Sequence, residues 1–388
     1  MKVAFIYYKF YDFDHGEIFV GGAEHYIYRL SKVCADNGLE PLVFQISSEP
    51  FEIAYHHVKI VGVKPLIKKS SFYNQTLYKA ALERIDVSTD LLIFAADLCS
   101  VKTDSPRCIS INHGLFWDYP TSMGGPYPYR LKGILGSLYK EYKKFCMRRL
   151  FDNCMNRVCV DYNFLNWYRT AINEINIKRI TVVPNFAQIA ERKQLVANTS
   201  AGNIKILFAR RFSEYRGTRI MAEAAKNVLA RYDNVDFTFA GDGPDEGYLK
   251  AVLADDPHVT FTRFSMDESL SVNLKHDICV IPSLAAEGTS LSVAEAMGAG
   301  KAVVASNVGG ITNMIIDGYN GLLINPDADS LTEALIRLID DKSLRHTLGT
   351  AAYETASRAF SYERWEASWI KILREVSGHK INTVPDAG

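Results

Sequence analysis

Several features that would place the chain in a specialised class of protein are missing. Lys plus Arg and Asp plus Glu both number 44, so a zero net charge gives no general attraction to nucleic acid. The seven cysteines are irregularly spaced, with no C-x-x-C pair, which argues against a disulfide framework or zinc ribbon and predicts reduced thiols. The first apolar run, residues 3–8, is too short for a signal-peptide core or a membrane span, so we expect a buried first strand and a cytoplasmic location.

What the chain has instead is an alternation of short apolar runs with helical segments, which is typical of parallel sheets in α/β proteins. In the first half the predicted strands are 3–8, 41–46, 91–95, 108–111, 158–160 and 180–183. In the second half they are 204–209, 235–240, 259–264, 278–281, 302–305 and 321–324. We therefore predict two Rossmann-like, doubly wound domains facing a cleft, at 1–183 and 184–360, and a tail at 379–388.

The most informative segment is 282–300, where a predicted strand ends and a loop leads into a helix. Glu287 lies in the loop and Glu295 about one turn inside the helix, so the two carboxylates can bracket an extended ligand and accept hydrogen bonds from sugar hydroxyls. The helix start after Ser290 offers free N–H groups and a positive dipole end, which favour a phosphate. The alternative is an ordinary N-cap at Thr289 or Ser290 with an unrelated acid nearby.

A second candidate segment, residues 209–217, also follows a predicted strand and opens a helix. Its cations Arg211 and Arg216 lie five residues apart and can clamp a diphosphate from two sides. For an isolated pair, a solvated basic loop is the competing interpretation.

Together these segments resemble the retaining family 4 glycosyltransferases of the GT-B fold, the glycosyl transferases group 1. The resemblance is strongest over residues 204–326, and four motifs carry it in family order and spacing. These are Arg211 with Arg216-Gly217, Gly241-Asp242-Gly243-Pro244, Glu287 with Glu295, and Val308-Gly309-Gly310. The chain departs from the family pattern at three points, with Arg210 in place of a glycine, Arg216 in place of a lysine, and Thr289-Ser290 in place of Phe-Gly.

The resemblance implies roles for the residues of these motifs. Glu295 would hold the ribose hydroxyls of a nucleotide, and Glu287 would contact the hydroxyls of the transferred sugar. His113, after the strand at 108–111, would lie near that sugar. The implied catalytic residues are His113, Glu287, Arg211 and Arg216. The implied donor-binding residues are Gly21, Gly22, Gly241, Phe264, Ser290, Leu291 and Glu295.

The reaction implied by the resemblance is metal-independent transfer of a sugar, with retention of configuration, from a UDP- or GDP-sugar. The acceptor would be a hydroxyl of a glycan or a lipid-linked molecule, in the synthesis of cell-surface polysaccharide or glycoconjugate. The family fold also places the last helix, 361–378, against the first domain. The D-x-D pairs at Asp12 and Asp327 are interpreted as solvated acids, with no metal site. Two alternatives stay open, a sugar-nucleotide epimerase and a non-catalytic protein that binds sugar nucleotides.

The segment 126–150 is unusually basic, with seven Lys or Arg and one acid, Glu141. Apolar residues recur in it at helical spacing. One interpretation is a helix with a buried apolar stripe and a solvated basic face. The other is a helix that docks on an anionic membrane to reach a lipid-linked acceptor, so that the protein lies peripherally on the inner face of the membrane.

Overall fold

The computed structural model describes eight parts of the chain, and these form two parallel β-sheets covered by helices. The described residues are 1–19, 21–67, 72–115, 117, 133–172, 179–196, 202–285 and 287–378. The predicted tail at 379–388 lies outside them.

The first sheet contains eight strands in the order β10-β9-β8-β7-β1-β4-β6-β5, and only β5 is antiparallel to its neighbour. Burial of β1, β7 and β8 on both faces explains why they appear in the sequence as continuous apolar runs. A small hairpin, β2 with β3, lies beside this sheet. The strands are β1 (Lys2–Ile6), β2 (Tyr11–Asp12), β3 (Glu17–Ile18), β4 (Glu40–Ile46), β5 (Phe51–Tyr55), β6 (Val58–Val63), β7 (Leu91–Phe94), β8 (Cys108–Asn112), β9 (Asn156–Cys159) and β10 (Ile180–Val182).

The second sheet contains six strands, all parallel, in the order β13-β12-β11-β14-β15-β16. The chain therefore extends the sheet in one direction from β11 and then in the other from β14, which makes the gap between these two strands a topological switch point. The strands are β11 (Ile204–Ala209), β12 (Val235–Ala240), β13 (Val259–Thr262), β14 (Ile278–Ile281), β15 (Ala302–Ser306) and β16 (Leu322–Ile324).

Twelve α-helices connect or cover the strands in the described residues. Those of the first half are α1 (Gly22–Asp36), α2 (Tyr73–Leu82), α3 (Gly133–Phe151), α4 (Tyr162–Ile172) and α5 (Arg192–Val196). Those of the second half are α6 (Thr218–Leu229), α7 (Glu246–Leu253), α8 (Ser269–Leu274), α9 (Leu291–Gly298), α10 (Ala328–Asp340), α11 (Lys342–Ala359) and α12 (Tyr362–Ser377).

The last helix, α12, crosses back to the first sheet, as the family resemblance implied. Trp365, Trp369 and Leu373 are buried in the same hydrophobic cluster as β1 and α1. The indole of Trp369 donates a hydrogen bond to the hydroxyl of Tyr26 on α1, at 2.8 Å. The α/β class, the two doubly wound sheets and the returning helix are confirmed. The domain bounds at 1–183 and 184–360 stay a prediction.

The cysteine expectation needs a correction, because Cys108 and Cys154 are joined by a disulfide, with Cα atoms 5.8 Å apart. The two residues are 46 positions apart in sequence, and the fold brings them together where β8 begins beside the end of α3. The other five cysteines are free thiols.

Candidate functional site

The loops that follow β11 and β14 lie side by side at the switch point of the second sheet, where ligands of open α/β sheets bind. The first loop begins at Arg210, and the second runs from Pro282 to Ser290 before α9 starts. The two segments singled out by sequence therefore meet at one edge of the sheet.

Glu287 is the centre of a buried cluster that joins these two loops. Its Oε1 accepts hydrogen bonds from Nη2 of Arg210 at 2.7 Å and from the hydroxyl of Ser283 at 2.5 Å. The same oxygen is ion-paired with Arg216. Burial alone would raise the pKa of Glu287, but the charges of Arg216 and Arg210 outweigh it and lower the pKa to about 2. Glu287 is therefore a carboxylate at any physiological pH.

Arg210 is a member of this site that sequence reasoning treated only as a replacement for a glycine. Its side chain is buried, and its Nη1 donates to the hydroxyl of Ser283 at 2.7 Å. Gly241 lies beside the backbone of Arg210. The N–H of Arg210 donates to the carbonyl of Ala240, and the N–H of Gly241 donates to the carbonyl of Thr262. The positive φ of Gly241, +148°, fits this close packing, since an added Cβ would meet the Arg210 carbonyl.

The two cations predicted to clamp a diphosphate are placed differently from one another. Arg216 is paired with Glu287, and its side chain is 27% exposed. Arg211 is exposed, and its charge lowers the pKa of Glu24 in the first domain, although burial makes the net shift of Glu24 upward. Arg211 is therefore close enough to the first domain for its charge to act on Glu24. A diphosphate role for both stays a prediction.

The start of α9 contacts the first domain directly. Ser290 is the N-cap by backbone conformation but makes no capping bond with its side chain. The hydroxyl of Thr289 donates to the Val160 carbonyl, and Asn185 donates to the Thr289 carbonyl at 2.6 Å. The alternative of an ordinary side-chain N-cap at Ser290 is therefore not what the structure contains.

Glu295, inside α9, lines a pocket of about 400 Å³ between the two domains. The other walls include His25 and Arg29 of α1, Leu270 of α8 and Leu291 of α9. Burial raises the pKa of Glu295 to about 7, against a smaller lowering by the hydroxyl of Ser269. Both Leu291 and Glu295 were predicted as donor-binding residues, and both line this pocket.

The remaining predicted donor residues lie near or beside this cleft. Gly22 packs against α9, since a Cβ added to it would lie 3.2 Å from Cδ1 of Leu291. Gly21 is the N-cap of α1. Phe264 lies two residues beyond the end of β13, half-buried against the hydrophobic cluster that includes Val293 of α9.

His113 follows β8 at the facing edge of the first sheet. Its Nε2 lies 2.7 Å from the carbonyl oxygen of Ala95, and since a carbonyl only accepts, Nε2 carries the proton. Nδ1 is then left as an acceptor. Burial lowers the pKa of His113, so the ring is neutral at physiological pH.

Asp97 and Asn112 form a buried hydrogen-bonded pair next to the His113 loop, referred to below as the relay, and sequence reasoning missed it. Oδ2 of Asp97 accepts from the Asn112 amide at 2.8 Å, and Oδ1 of Asn112 accepts from the N–H of Gly114 at 2.9 Å. Oδ1 of Asp97 is buried with no partner among the described residues. Burial raises the pKa of Asp97 to about 7. An acid just after the run 91–95 was the available signal, because strand ends are where polar site residues collect.

The backbones of the two domains touch at a pair of glycines. A Cβ added to Gly114 would lie 3.0 Å from Cα of Gly288, and the φ of Gly114 is +118°. On the other side of the same loop, the N–H of Gly310 donates to the Glu287 carbonyl at 2.8 Å. The V-G-G turn is therefore fixed to the same loop whose Gly288 meets the His113 loop.

The two D-x-D pairs have local structural contacts. Asp12 lies 3.0 Å from Nδ1 of His15, and Asp327 caps α10 by accepting from the N–H of Ser330 at 2.7 Å. Within the described residues, no group of three or more His, Cys, Asp or Glu side chains is arranged to hold a metal ion. Metal independence stays a prediction. In the same part of the chain, no helix combines the length and apolar character needed to cross a bilayer.

Comparison with known proteins finds glycosyltransferases on both the sequence and the structural side. Residues 203–341 match the family described as Glycosyl transferases group 1. An uncharacterized glycosyltransferase of Methanocaldococcus jannaschii is 30% identical over 60% of this chain and 58% of its own length. The phosphatidyl-myo-inositol mannosyltransferase of Mycolicibacterium smegmatis is 27% identical over 61% of each. The chain thus spans about three fifths of the length of these curated relatives.

Solved structures match nearly the whole chain. The sucrose-phosphate synthase of Thermosynechococcus elongatus superimposes with a TM-score of 0.73 and 17% identity, over 97% of this chain and 99% of that one. HepE of Anabaena, solved in complex with UDP and glucose, gives a TM-score of 0.70 and 17% identity, over 96% and 99%. At this identity the likeness establishes the two-domain GT-B fold.

Proposed function

We propose that this chain transfers a sugar from a nucleotide diphosphate donor to a hydroxyl acceptor. The premise is its membership of the glycosyl transferases group 1, which residues 203–341 match. The observation that carries the proposal is the pairing of a buried Glu287–Arg216 cluster with a pocket lined by Glu295, both at the cleft edge of the second sheet. A charged cluster beside a pocket of this size suits a ligand with a charged middle and a polar end.

In the proposed reaction the bond between the anomeric carbon and the diphosphate oxygen breaks, and the acceptor hydroxyl bonds to the same carbon. Negative charge grows on the leaving diphosphate, and Arg216 with Arg211 would offset it. Glu287 would orient Arg216 and contact sugar hydroxyls. The proton of the acceptor would pass to the leaving phosphate, on the same face of the sugar, which gives retention.

The nucleotide would bind with its ribose on Glu295. Nδ1 of His113, as an acceptor, is suited to a hydroxyl of the donor sugar. UDP is the first nucleotide to test, because HepE was solved with UDP, and GDP is the second. The acceptor would be a glycan or a lipid-linked molecule in cell-surface polysaccharide or glycoconjugate synthesis, reached by a cytoplasmic protein at the inner face of the membrane.

Donor binding is tested by thermal shift and titration calorimetry with UDP, GDP and ADP and with the corresponding nucleotide sugars. A ligand that binds the native state raises the unfolding midpoint. Glu295→Ala should weaken the binding of the preferred nucleotide by roughly 1.5–3 kcal/mol, because the hydrogen bonds between its carboxyl group and the ribose hydroxyls are lost. The matched control is Glu223→Ala, since Glu223 is an exposed acid on α6, and this variant should bind the nucleotide as the wild type does. Unchanged affinity in a folded Glu295→Ala protein would remove the ribose role.

The reaction type is tested with donor and acceptor in excess EDTA, followed by the anomeric coupling of the product in proton NMR. Transfer that survives EDTA and yields a retained product is expected. Activity lost in EDTA and restored by manganese would exclude the metal-free mechanism, and an inverted product would exclude retention. Conversion of the donor sugar with no acceptor would favour the epimerase instead.

A further inference from the structure

Helix α3 (Gly133–Phe151) exposes a continuous apolar stripe. Its members are between 48% and 81% exposed, and they are Ile134, Leu135, Leu138, Tyr142 and Phe145. At about 100° per residue these positions fall within about 100° of the helix circumference. The stripe interpreted as buried in one reading of the sequence is therefore on the surface.

The opposite face of α3 attaches it to the first domain. Gly136, Met147 and Phe151 are buried, and the two larger side chains belong to a hydrophobic cluster with Phe164 of α4. By the same angular count this face points roughly 180° away from the apolar stripe. Both faces of α3 are thus apolar, and only one is covered by the described residues.

Positive charge accompanies the stripe. Between Gly133 and Phe151 the sequence has five Lys or Arg and a single acid, Glu141, which pairs with Lys144. The guanidinium groups of Arg148 and Arg149 each lie 5.7 Å from the ring of Phe145, at the end of the stripe. By the same angular count Arg149 falls within the stripe and Arg148 about 40° from its edge, so these two are the cations that accompany the exposed apolar side chains.

An anionic lipid surface matches both properties, because it accepts apolar side chains in the acyl region and cations at the headgroups. A second copy of the chain matches less well, since two α3 helices would bring like charges face to face. Contiguous exposed apolar patches commonly mark an interaction site in soluble proteins. The exposed stripe and its charge therefore favour a lipid surface over self-association.

We propose that α3 docks this protein on a membrane surface rich in anionic lipids, with the apolar stripe inserted and Arg148 and Arg149 on the headgroups. Membrane docking does not depend on the proposed transfer function, but its role rests on that function, because docking would bring the cleft to lipid-borne acceptors. The placement suits that purpose, because α3 packs against β8 and the turn Asp97–Cys99, which also position His113.

The test is co-sedimentation of the full chain with vesicles of phosphatidylcholine alone or mixed with phosphatidylglycerol, at low and high salt. Binding is expected to the mixed vesicles, weakening with salt. Leu138→Glu should lower this binding about tenfold or more, because it replaces an apolar side chain with a negative charge that the anionic lipids repel. Arg149→Glu should lower binding to mixed vesicles about tenfold and leave phosphatidylcholine unaffected.

Ile316→Glu is the matched control, since Ile316 is 65% exposed but lies in the second domain. It should bind vesicles as the wild type does, and all variants should keep the wild-type unfolding midpoint. Three outcomes overturn the proposal: no binding of the wild type to either vesicle, unchanged binding of Leu138→Glu, or a wild-type dimer that Leu138→Glu dissociates. The assay contains no nucleotide, so failure of donor binding leaves its result intact.

Discussion

At the edge of the second sheet the loops after β11 and β14 carry full charges that are buried and paired, whereas the loops after β7 and β8 in the first sheet carry neutral groups. Glu287 keeps its charge because Arg210 and Arg216 surround it. Burial instead removes charge from His113 and Asp97, whose pKa shifts both favour the neutral form. The difference shows that burial alone does not decide ionisation, since a fixed counter-charge reverses its effect.

Removing the counter-charge should have the largest effect. Glu287→Gln leaves Arg210 and Arg216 without their carboxylate, so we expect a loss of about 3–5 kcal/mol in the free energy of unfolding. Chemical denaturation measures it. Asp267→Asn, which removes the 85% exposed partner of Arg29, should cost less than about 1 kcal/mol. Equal losses in the two variants would mean that the buried cluster is not held by charge pairing.

The pH dependence of that loss has a defined direction. The pKa of Glu287 falls from 4.5 to about 2 on folding, so its stabilisation is present above pH 4.5 and disappears as the pH falls toward 2. The difference between the wild type and Glu287→Gln should therefore shrink on acidification.

The opposite pH dependence is expected in the first domain. The pKa of Asp97 rises from 3.8 to about 7, so its stabilisation is full below pH 3.8 and is lost as the pH rises through about 7. Cys99 and Cys159, which face it, stay neutral because burial raises their pKa values. Asp97→Asn mimics the protonated form and should gain up to about 3 kcal/mol on the wild type between pH 4 and pH 7.

Unfolding midpoints across this range measure the gain for Asp97→Asn. Glu295 also has a pKa of about 7, so the comparison is repeated in a Glu295→Gln background, where the Asp97 effect should persist. A difference between wild type and Asp97→Asn that does not change with pH would show that Asp97 is ionised in the fold.

The two arginines of the charged cluster should respond differently to lysine. Arg210→Lys should cost about 1–3 kcal/mol, since one ammonium group cannot reproduce the two guanidinium bonds to Ser283 and Glu287. Arg216→Lys keeps the charge at a partly exposed position and should cost less than about 1 kcal/mol. Denaturation midpoints compare them. A larger cost at Arg216 would make that residue the main structural partner of Glu287.

The fold could be predicted further from the sequence than the contacts could. Apolar runs located all six strands of the second sheet, because five contain buried residues and the sixth, β13, packs its half-buried Val259 and Phe261 against the core. They missed the pair β5 and β6, where β5 alternates between half-buried and exposed positions and β6 has a short apolar pattern interrupted by Lys59.

Members of the buried charged cluster could be predicted where a sequence motif contains them, and could not where the contact joins distant parts of the chain. Glu287 and Arg216 were identified, but their partner Arg210 is 77 residues from Glu287, and no local pattern encodes that pair. The relay from Asp97 to Asn112 depends in the same way on the register of β7 with β8. Exposure of the α3 stripe could not be predicted, since periodicity gives the spacing of an apolar face and not what covers it.

The last comparison is between two glycine variants and concerns the contact between the charged and the neutral loops. Gly114→Ala places a methyl group 3.0 Å from Cα of Gly288 in a backbone conformation with φ +118°, so it adds a clash between the domains to backbone strain. Gly38→Ala is the matched control, because its φ of +76° is also strained but nothing lies within 4 Å of the added Cβ. We expect about 1 kcal/mol for Gly38→Ala and about 1 kcal/mol more for Gly114→Ala, by denaturation. Equal costs would mean that the loops separate freely, and that the paired charges of Glu287 need no support from the first domain.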